Sequence, residues 1–167
     1  MSSGPKLVRL SDGVTCLRTA VLAGIPQPVL VPVPGTGLYR FAQPFEITLP
    51  DELGTLRVAA GMTTDGASIP RFFWRVVGNP FDPDFMAPAA GAHDPLYATH
   101  LLPRDVADRV LRKLMLQNSP RSARRAGIFW VSVRVGGWAA WHNYTPGTIA
   151  ANCSLVTLTP NRVDLSR

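Results

Sequence analysis

Apolar and polar residues alternate along two short stretches in the first half of the chain. The alternation covers residues 45–49 and returns near residues 56–60, with turn-forming residues 51–54 between them. A period of two is typical of a half-buried β-strand, and two such runs around a turn predict a hairpin. A further strand is expected over residues 38–41. We therefore expect a small antiparallel sheet between residues 38 and 62.

The second half of the chain changes to the helical period. Apolar residues recur at intervals of three and four, as on one face of an α-helix. Three helices are predicted, from about Phe85 to His100, from Pro103 to about Gln117, and from Arg121 to about Val135, where Gly136-Gly137 should end the last one. A shorter helix is expected after Ser68, which can cap it. The predicted fold class is α+β, a small antiparallel sheet packed against a three-helix bundle.

Proline marks the N-terminal segment. Four prolines interrupt the apolar stretch around residues 25–33. Proline has no backbone N–H to donate, which excludes a central strand there. We expect an extended arm or an edge segment, packed either on a neighbouring protein or on its own domain. The predicted organisation is an extended proline-rich arm (1–37), one α+β domain (38–144) and a C-terminal tail (145–167) with one strand-like run at residues 155–158.

Composition gives a first indication of partners. Of the 167 residues 46% are hydrophobic, enough to bury a core, whereas only 17% are charged. That is below the roughly 25% of a typical domain, so a partner is expected to cover part of the surface. The net charge is +6, and the basic residues cluster between residues 104 and 134. This cluster is either a solvated helical face or a surface for an anionic partner, such as a membrane or an acidic protein. The chain lacks an aromatic-interleaved basic motif, which argues against nucleic acid.

Targeting signals and cysteines bear on location. Residues 1–10 show no signal-peptide pattern, and no apolar run approaches the ~18 residues that span a membrane. Cys16 and Cys153 make neither a metal cluster nor a disulfide framework. We therefore expect a chain made in a cytoplasm with both thiols reduced.

Candidate chemistry centres on the first long helix. His93 and Tyr97 are four residues apart and share a helical face. The next predicted helix is an antiparallel neighbour, so Asp108 could face the imidazole of His93. A carboxylate in that place fixes the tautomer of a histidine and raises its basicity, which suits a general base that activates water. Alternatively, the pair only satisfies a helix core, or Asp108 pairs with Arg112.

A cation site is a second hypothesis. Asp94 points away from the face of His93 and could hold a hard cation through oxygen. Asp65, in a glycine-containing loop, could supply a second carboxylate to the same ion. The alternative is that Asp65 only closes a turn.

Four motifs occur in order along the chain: Thr64-Asp65-Gly66-Ala67-Ser68-Ile69-Pro70-Arg71-Phe72-Phe73-Trp74, His93-Asp94-Pro95-Leu96-Tyr97, Ala107-Asp108 and Gly136-Gly137-Trp138. Together they resemble a phage and prophage family known only as domain of unknown function 1353. The resemblance extends from Phe41 to about His142. It implies a viral or prophage origin and supplies no activity.

A second resemblance concerns chemistry. His93-Asp94-x-x-Tyr97 with a later Asp108 is similar to the catalytic helix pair of microbial secreted phospholipases A2, which also place Thr-Asp and Asn-Pro-Phe upstream, here Thr64-Asp65 and Asn79-Pro80-Phe81. The resemblance implies that His93 is the base, that Asp108 orients it, and that Tyr97 belongs to the same site. It also implies that Asp94 and Asp65 bind calcium.

The sequence therefore leaves two main hypotheses for the function. The first is a virion-associated phage protein of the tail or baseplate, with a phospholipase A2-like, metal-dependent esterase site that acts on the host cell envelope. The alternative is a purely structural tail or baseplate component without activity. A cytoplasmic prophage factor or toxin is a third hypothesis. The expected partners are other phage structural proteins, bound through the arm and the tail, and a phospholipid or membrane surface.

Overall fold

The structure, a computed structural model, describes residues 7–9, 15–17, 25–65, 83–119 and 123–161. The strands of these residues are β1 (Leu7–Arg9), β2 (Thr15–Leu17), β3 (Leu30–Pro32), β4 (Tyr39–Phe41), β5 (Phe45–Leu49), β6 (Gly54–Val58), β7 (Thr63–Thr64) and β8 (Val156–Thr159). The helical segments are α1 (Pro83–Met86), a π-helical segment (Ala87–His93), α2 (Asp94–Thr99), α3 (Arg104–Asn118), α4 (Ala123–Asn143) and α5 (Pro146–Cys153). The described residues thus form the expected α+β fold. The helix expected after Ser68 lies outside them.

The strands form antiparallel sheets. β1 and β2 pair with each other, β4 lies between β3 and β7, and β6 lies between β5 and β8. The sheet expected over residues 38–62 is therefore divided between two three-stranded sheets. One takes β3 and β7 from outside that range, and the other takes β8. Local alternation predicts a strand but does not identify its partner, which is why the division was not foreseen.

The hairpin of β5 and β6 explains the alternation in the sequence. Phe45, Ile47 and Leu49 are buried, whereas the two residues between them are exposed. On the exposed face Glu46 pairs with Arg57 across the hairpin at 2.8 Å. The buried face forms the main hydrophobic core with Val156 of β8 and with residues of α2 and α3.

The two terminal segments predicted to lie outside the domain contribute to it. β3, within the predicted arm, pairs with β4 as an edge strand, and Ile25 and Leu30 pack against the main core. An edge is the position in a sheet that tolerates Pro32. Within the predicted tail, β8 pairs with β6, and Val156 is buried. Of the two alternatives for the arm, β3 is thus an edge segment packed on its own domain. The strand-like run expected in the tail corresponds to β8 and belongs to the sheet of β5 and β6.

The first long helix contains a π-helical segment just before Pro95. The helical residues extend from Pro83 to Thr99, close to the expected range, as α1, the π-helical segment and α2 in succession. The N–H of Asp94 donates to the carbonyl of Ala89 in the wider π pattern. Pro95 stands in the first turn of α2, directly after this wider turn. Gly91 lets this segment approach β5, because a Cβ there would lie 2.7 Å from the ring of Phe45.

The third helix is longer than expected. α4 continues through Gly136-Gly137 and includes Trp138 and Trp141, so the prediction that the glycines end the helix was wrong. Gly137 serves a close contact instead. A Cβ at this position would lie 2.8 Å from the Tyr97 hydroxyl. The missing side chain is what allows α4 to pack against the helix that carries His93.

Candidate functional site

His93 is the last residue of the π-helical segment and is only 6% exposed. Its Nε2 lies 3.0 Å from Oδ1 of Asp108 on α3. This is the contact expected from the sequence, at hydrogen-bond distance. The other ring nitrogen, Nδ1, lies 3.6 Å from Oδ1 of Asp94. The two nitrogens therefore face two different carboxylates.

Asp108 is the centre of a buried polar network. Its side chain is completely buried, and it accepts hydrogen bonds on both oxygens. Tyr97 donates its hydroxyl to Oδ1 at 2.6 Å, and Arg134 of α4 donates Nη1 to Oδ2 at 2.8 Å. Arg104, one turn earlier on α3, places Nε 3.8 Å from Oδ2. A buried carboxylate is stable only when paired and hydrogen-bonded, and these groups satisfy that requirement.

The network shifts the pKa values of its members in opposite directions. Burial alone would raise the pKa of Asp108, but hydrogen bonds from His93, Tyr97 and Arg134 outweigh burial and lower it. Burial alone would lower the pKa of His93, but the contacts with Asp108 and Asp94 outweigh burial and raise it. Asp108 is therefore ionised at neutral pH.

Ionised Asp108 determines where the proton of neutral His93 resides. A carboxylate can only accept, so Nε2 must carry the hydrogen in the 3.0 Å contact. The lone pair of neutral imidazole is then on Nδ1, on the side of Asp94. A histidine whose free nitrogen is fixed by a carboxylate on the other side has the arrangement of a general base.

A cleft with a volume of about 220 Å³ lies on the Asp94 side. Its lining residues are Leu38, Thr63, Thr64, Asp65, Asp94 and Tyr144. The hydroxyl of Thr64 donates to Oδ2 of Asp94, which links β7 to the helix. The structure thus brings together the two carboxylates that the sequence predicted to converge.

The electrostatics of the cleft follow from these two acids. Burial, and then the charge of Asp65, raise the pKa of Asp94 to about 6, although His93 and Thr64 act in the other direction. Burial raises the pKa of Tyr144 to about 12, and the charges of both acids contribute. The cleft is therefore electronegative when both acids are ionised, which favours a cation.

The donor types in the cleft fit calcium, although no ready cluster is present. Calcium binds six to eight oxygens, from carboxylates, carbonyls and water. Asp65 and Asp94 supply carboxylates, and Thr63 and Thr64 line the same space. Among the residues that the structure describes, no group of three or more His, Cys, Asp and Glu side chains is placed to hold a metal. Backbone carbonyls and water would therefore complete the coordination.

Two residues of the site were not singled out from the sequence. Arg134 was assigned to the basic cluster, yet its guanidinium contacts the buried carboxylate of Asp108. Tyr144 was placed at the end of the domain, yet it lines the cleft. No sequence motif marks either residue, because both come from elements distant in sequence from His93.

The residues of the basic cluster make several different contacts. Arg109 pairs with Asp105 at 3.0 Å, and Lys113 pairs with Asp51. Arg112 does not pair with Asp108 but lies over the Trp130 ring, 5.4 Å from its centre. Within the described part of the cluster, Arg104 and Arg134 are directed into the site.

Residues 39–133 match the family described as "Protein of unknown function (DUF1353)". The match covers more than half of the chain, and the protein belongs to this family. No curated protein and no solved structure matches the chain. Over the described ranges, no helix has the length and apolar character needed to cross a membrane.

Proposed function

We propose that this protein is a virion-associated phage protein of the tail or baseplate that carries a calcium-dependent, phospholipase A2-like esterase site. The observation that carries the proposal is the position of His93. Its Nε2 is bonded to buried Asp108 at 3.0 Å, and its Nδ1 lies 3.6 Å from Asp94, which lines the cleft with Asp65. The proposed base thus faces one carboxylate of the proposed cation site.

The proposed reaction is ester hydrolysis. Nδ1 of His93 takes a proton from a water molecule, and the water oxygen attacks the carbonyl carbon of the ester. The bond from that carbon to the alcohol oxygen then breaks, and the alcohol leaves with the proton from His93. Asp108 stabilises the imidazolium between these steps through the Nε2 contact. Calcium, when bound at Asp65 and Asp94, would polarise the carbonyl and stabilise its developing negative charge.

The substrate class follows from the resemblance of the helix pair to the microbial phospholipases A2. A phospholipid of the host envelope is the proposed substrate, and the membrane surface is the corresponding partner. The placement in a virion rests on the resemblance of the chain to phage and prophage proteins. Mass spectrometry of purified particles should find the protein there, and its absence from intact particles would contradict the placement.

The activity is tested by fatty-acid release from phospholipid vesicles. The purified wild type should release fatty acid in millimolar calcium and lose the activity in excess EDTA. Asp94→Asn should be inactive in both conditions, because it removes a charged ligand. His142→Gln is a control, since His142 is exposed and its Nδ1 contacts only the Trp138 carbonyl of its own helix.

The purely structural alternative has one observation in its favour. The side chain of Asp108 joins His93, Tyr97 and Arg134, from three helical segments, and is itself fully buried. Such a network could serve packing alone. A folded wild type that releases no fatty acid in calcium, from vesicles or from soluble phospholipid, would favour this alternative.

A further inference from the structure

Arg134 reaches the buried carboxylate of Asp108 from the surface. The side chain of Arg134 is 37% exposed, whereas that of Asp108 is completely buried. The contact joins Nη1 to Oδ2 at 2.8 Å and links α4 to α3. A charge-assisted bond of this length is among the stronger contacts that a side chain makes.

The two oxygens of Asp108 have different sets of donors. Oδ1 accepts from both Tyr97 and His93, at 2.6 Å and 3.0 Å. Oδ2 accepts from Arg134, and Nε of Arg104 remains 3.8 Å away, too far for a hydrogen bond. Within the described residues, Arg134 is thus the only side chain that hydrogen-bonds Oδ2. If Arg134 were removed, Oδ2 would be a buried acceptor without a partner, and the carboxylate would rotate to find one.

Arg104 holds the segment of α4 that carries Arg134. Its Nη2 donates to the backbone carbonyl of Arg134, and its Nε donates to the Tyr97 hydroxyl at 3.3 Å. Gly137 meets Tyr97 one turn further along α4. Arg104 and Tyr97, whose side chains surround Asp108, therefore also hold the backbone of α4 at Arg134. This contact directs the guanidinium of Arg134 toward Asp108.

We propose that Arg134 is a positioning residue that holds the Asp108 carboxylate in the rotation that points Oδ1 at His93. In this rotation Asp108 keeps the proton of neutral His93 on Nε2 and leaves the lone pair on Nδ1, which faces Asp94 at 3.6 Å. The effect on hydrolysis rests on the proposed esterase function, whereas the effect on the imidazole does not.

The decisive measurement is the Nε2 proton of His93 by NMR. A buried N–H that donates to a carboxylate exchanges slowly with water and resonates downfield. Wild type should show this signal, and Arg134→Gln should lose it. Arg134→Lys retains a charge near Oδ2 and should restore it in part. Arg124→Gln removes an exposed guanidinium from the same helix and should leave the signal unchanged.

Kinetics provide the second readout. Arg134→Gln should lower kcat by about 10–100-fold, the same range as for the loss of a group that orients a metal-binding side chain. KM and calcium affinity should stay as in wild type, because Arg134 does not line the cleft. Arg134→Lys should recover part of kcat.

Several results would overturn the proposal. One is a persistent Nε2 proton signal in Arg134→Gln. Another is an equal loss of the signal in Arg124→Gln. Loss of folding in both Arg134 variants would assign Arg134 to stability alone. If no variant and no wild type hydrolyses ester, the proposed function fails, but the NMR comparison still decides the role of Arg134.

Discussion

Tyr97 donates its hydroxyl to Oδ1 of Asp108 at 2.6 Å, the same oxygen that faces Nε2 of His93. Tyr97 follows His93 by four residues, so both side chains leave the helix on one face. Their rings lie 4.1 Å apart between centres. The His-Asp-x-x-Tyr spacing therefore has a direct structural consequence, because one carboxylate of α3 accepts from both residues.

Replacing Asp108 should destabilise the protein strongly. Asp108→Asn removes the buried charge that pairs with Arg134 and presents an amide to two donors. Breaking a buried ion pair usually costs about 3–5 kcal/mol. Because Arg134 is partly exposed, we expect a loss of about 3 kcal/mol in the free energy of unfolding, measured by urea denaturation near neutral pH.

The matched control is Asp105→Asn, which makes the same change one turn earlier on α3. Asp105 pairs with Arg109 in an exposed i,i+4 contact, so its loss should be below about 0.5 kcal/mol. Because the pKa of Asp108 is lowered, the loss of unfolding free energy in Asp108→Asn should also depend on pH. The contribution of Asp108 is present above the ordinary pKa and is lost as the pH falls through the lowered value. Equal destabilisation by both variants would contradict the network.

Protonation of His93 should stabilise the fold. The pKa of His93 is raised in the folded protein, so the folded state binds the proton more tightly than the unfolded state does. This contribution is fully present below the ordinary pKa of 6.5 and is lost as the pH rises through the raised value. The stability difference between wild type and His93→Gln should thus be larger near about pH 6 than near about pH 9. If urea denaturation showed that the stability difference between the two proteins grows with pH, the pKa of His93 would be lowered, not raised, by folding.

Gly137→Ala should disturb the site although it favours helix formation. Alanine in place of glycine inside a helix gains about 1 kcal/mol. At Gly136 nothing lies within 4 Å of the new Cβ, so Gly136→Ala should raise the unfolding free energy. At Gly137 the Cβ would lie 2.8 Å from the Tyr97 hydroxyl and displace it from Asp108. In thermal unfolding, the Tm of Gly136→Ala should be higher than that of wild type, and the Tm of Gly137→Ala should be lower than that of Gly136→Ala. Equal gains in Tm for the two variants would show that the contact of Gly137 with Tyr97 has no effect.

Calcium affinity should fall in acid. Asp94 must be ionised to bind a cation, and its pKa is about 6. One pH unit below that value, calorimetry should find the calcium affinity about tenfold weaker than near neutral pH. Asp94→Asn should abolish binding, and Asp105→Asn should not change it. Wild-type affinity that stays constant with pH would exclude Asp94 as a ligand.

The sequence predicted the elements that local patterns encode. Alternation at residues 45–49 predicted β5, and helical periodicity placed α3 within one or two residues of its observed bounds. The spacing of His93 and Tyr97, with an antiparallel neighbour, predicted the contact with Asp108. These are properties of single elements or of two adjacent helices joined by a short loop.

Features that depend on distant packing were missed. Gly136-Gly137 is typical of a helix end, but in α4 the pair makes room for Tyr97. β8 completes the sheet of β5 and β6, yet no local signal identifies its partner. Arg134 carries the same charge as its solvated neighbours and differs only in facing Asp108. The π-helical segment before Pro95 shows how a residue that is unfavourable in a helix is accommodated by a local change in hydrogen bonding.

The most direct test of the site is the initial rate of fatty-acid release from phospholipid vesicles, compared between wild type and His93→Gln in calcium. A general base contributes about 10²–10⁴-fold, so the variant should be slower by at least about a hundredfold while its circular dichroism matches wild type. Equal rates for the two proteins, or no calcium-dependent release by a folded wild type, would contradict the assignment of His93 as the base.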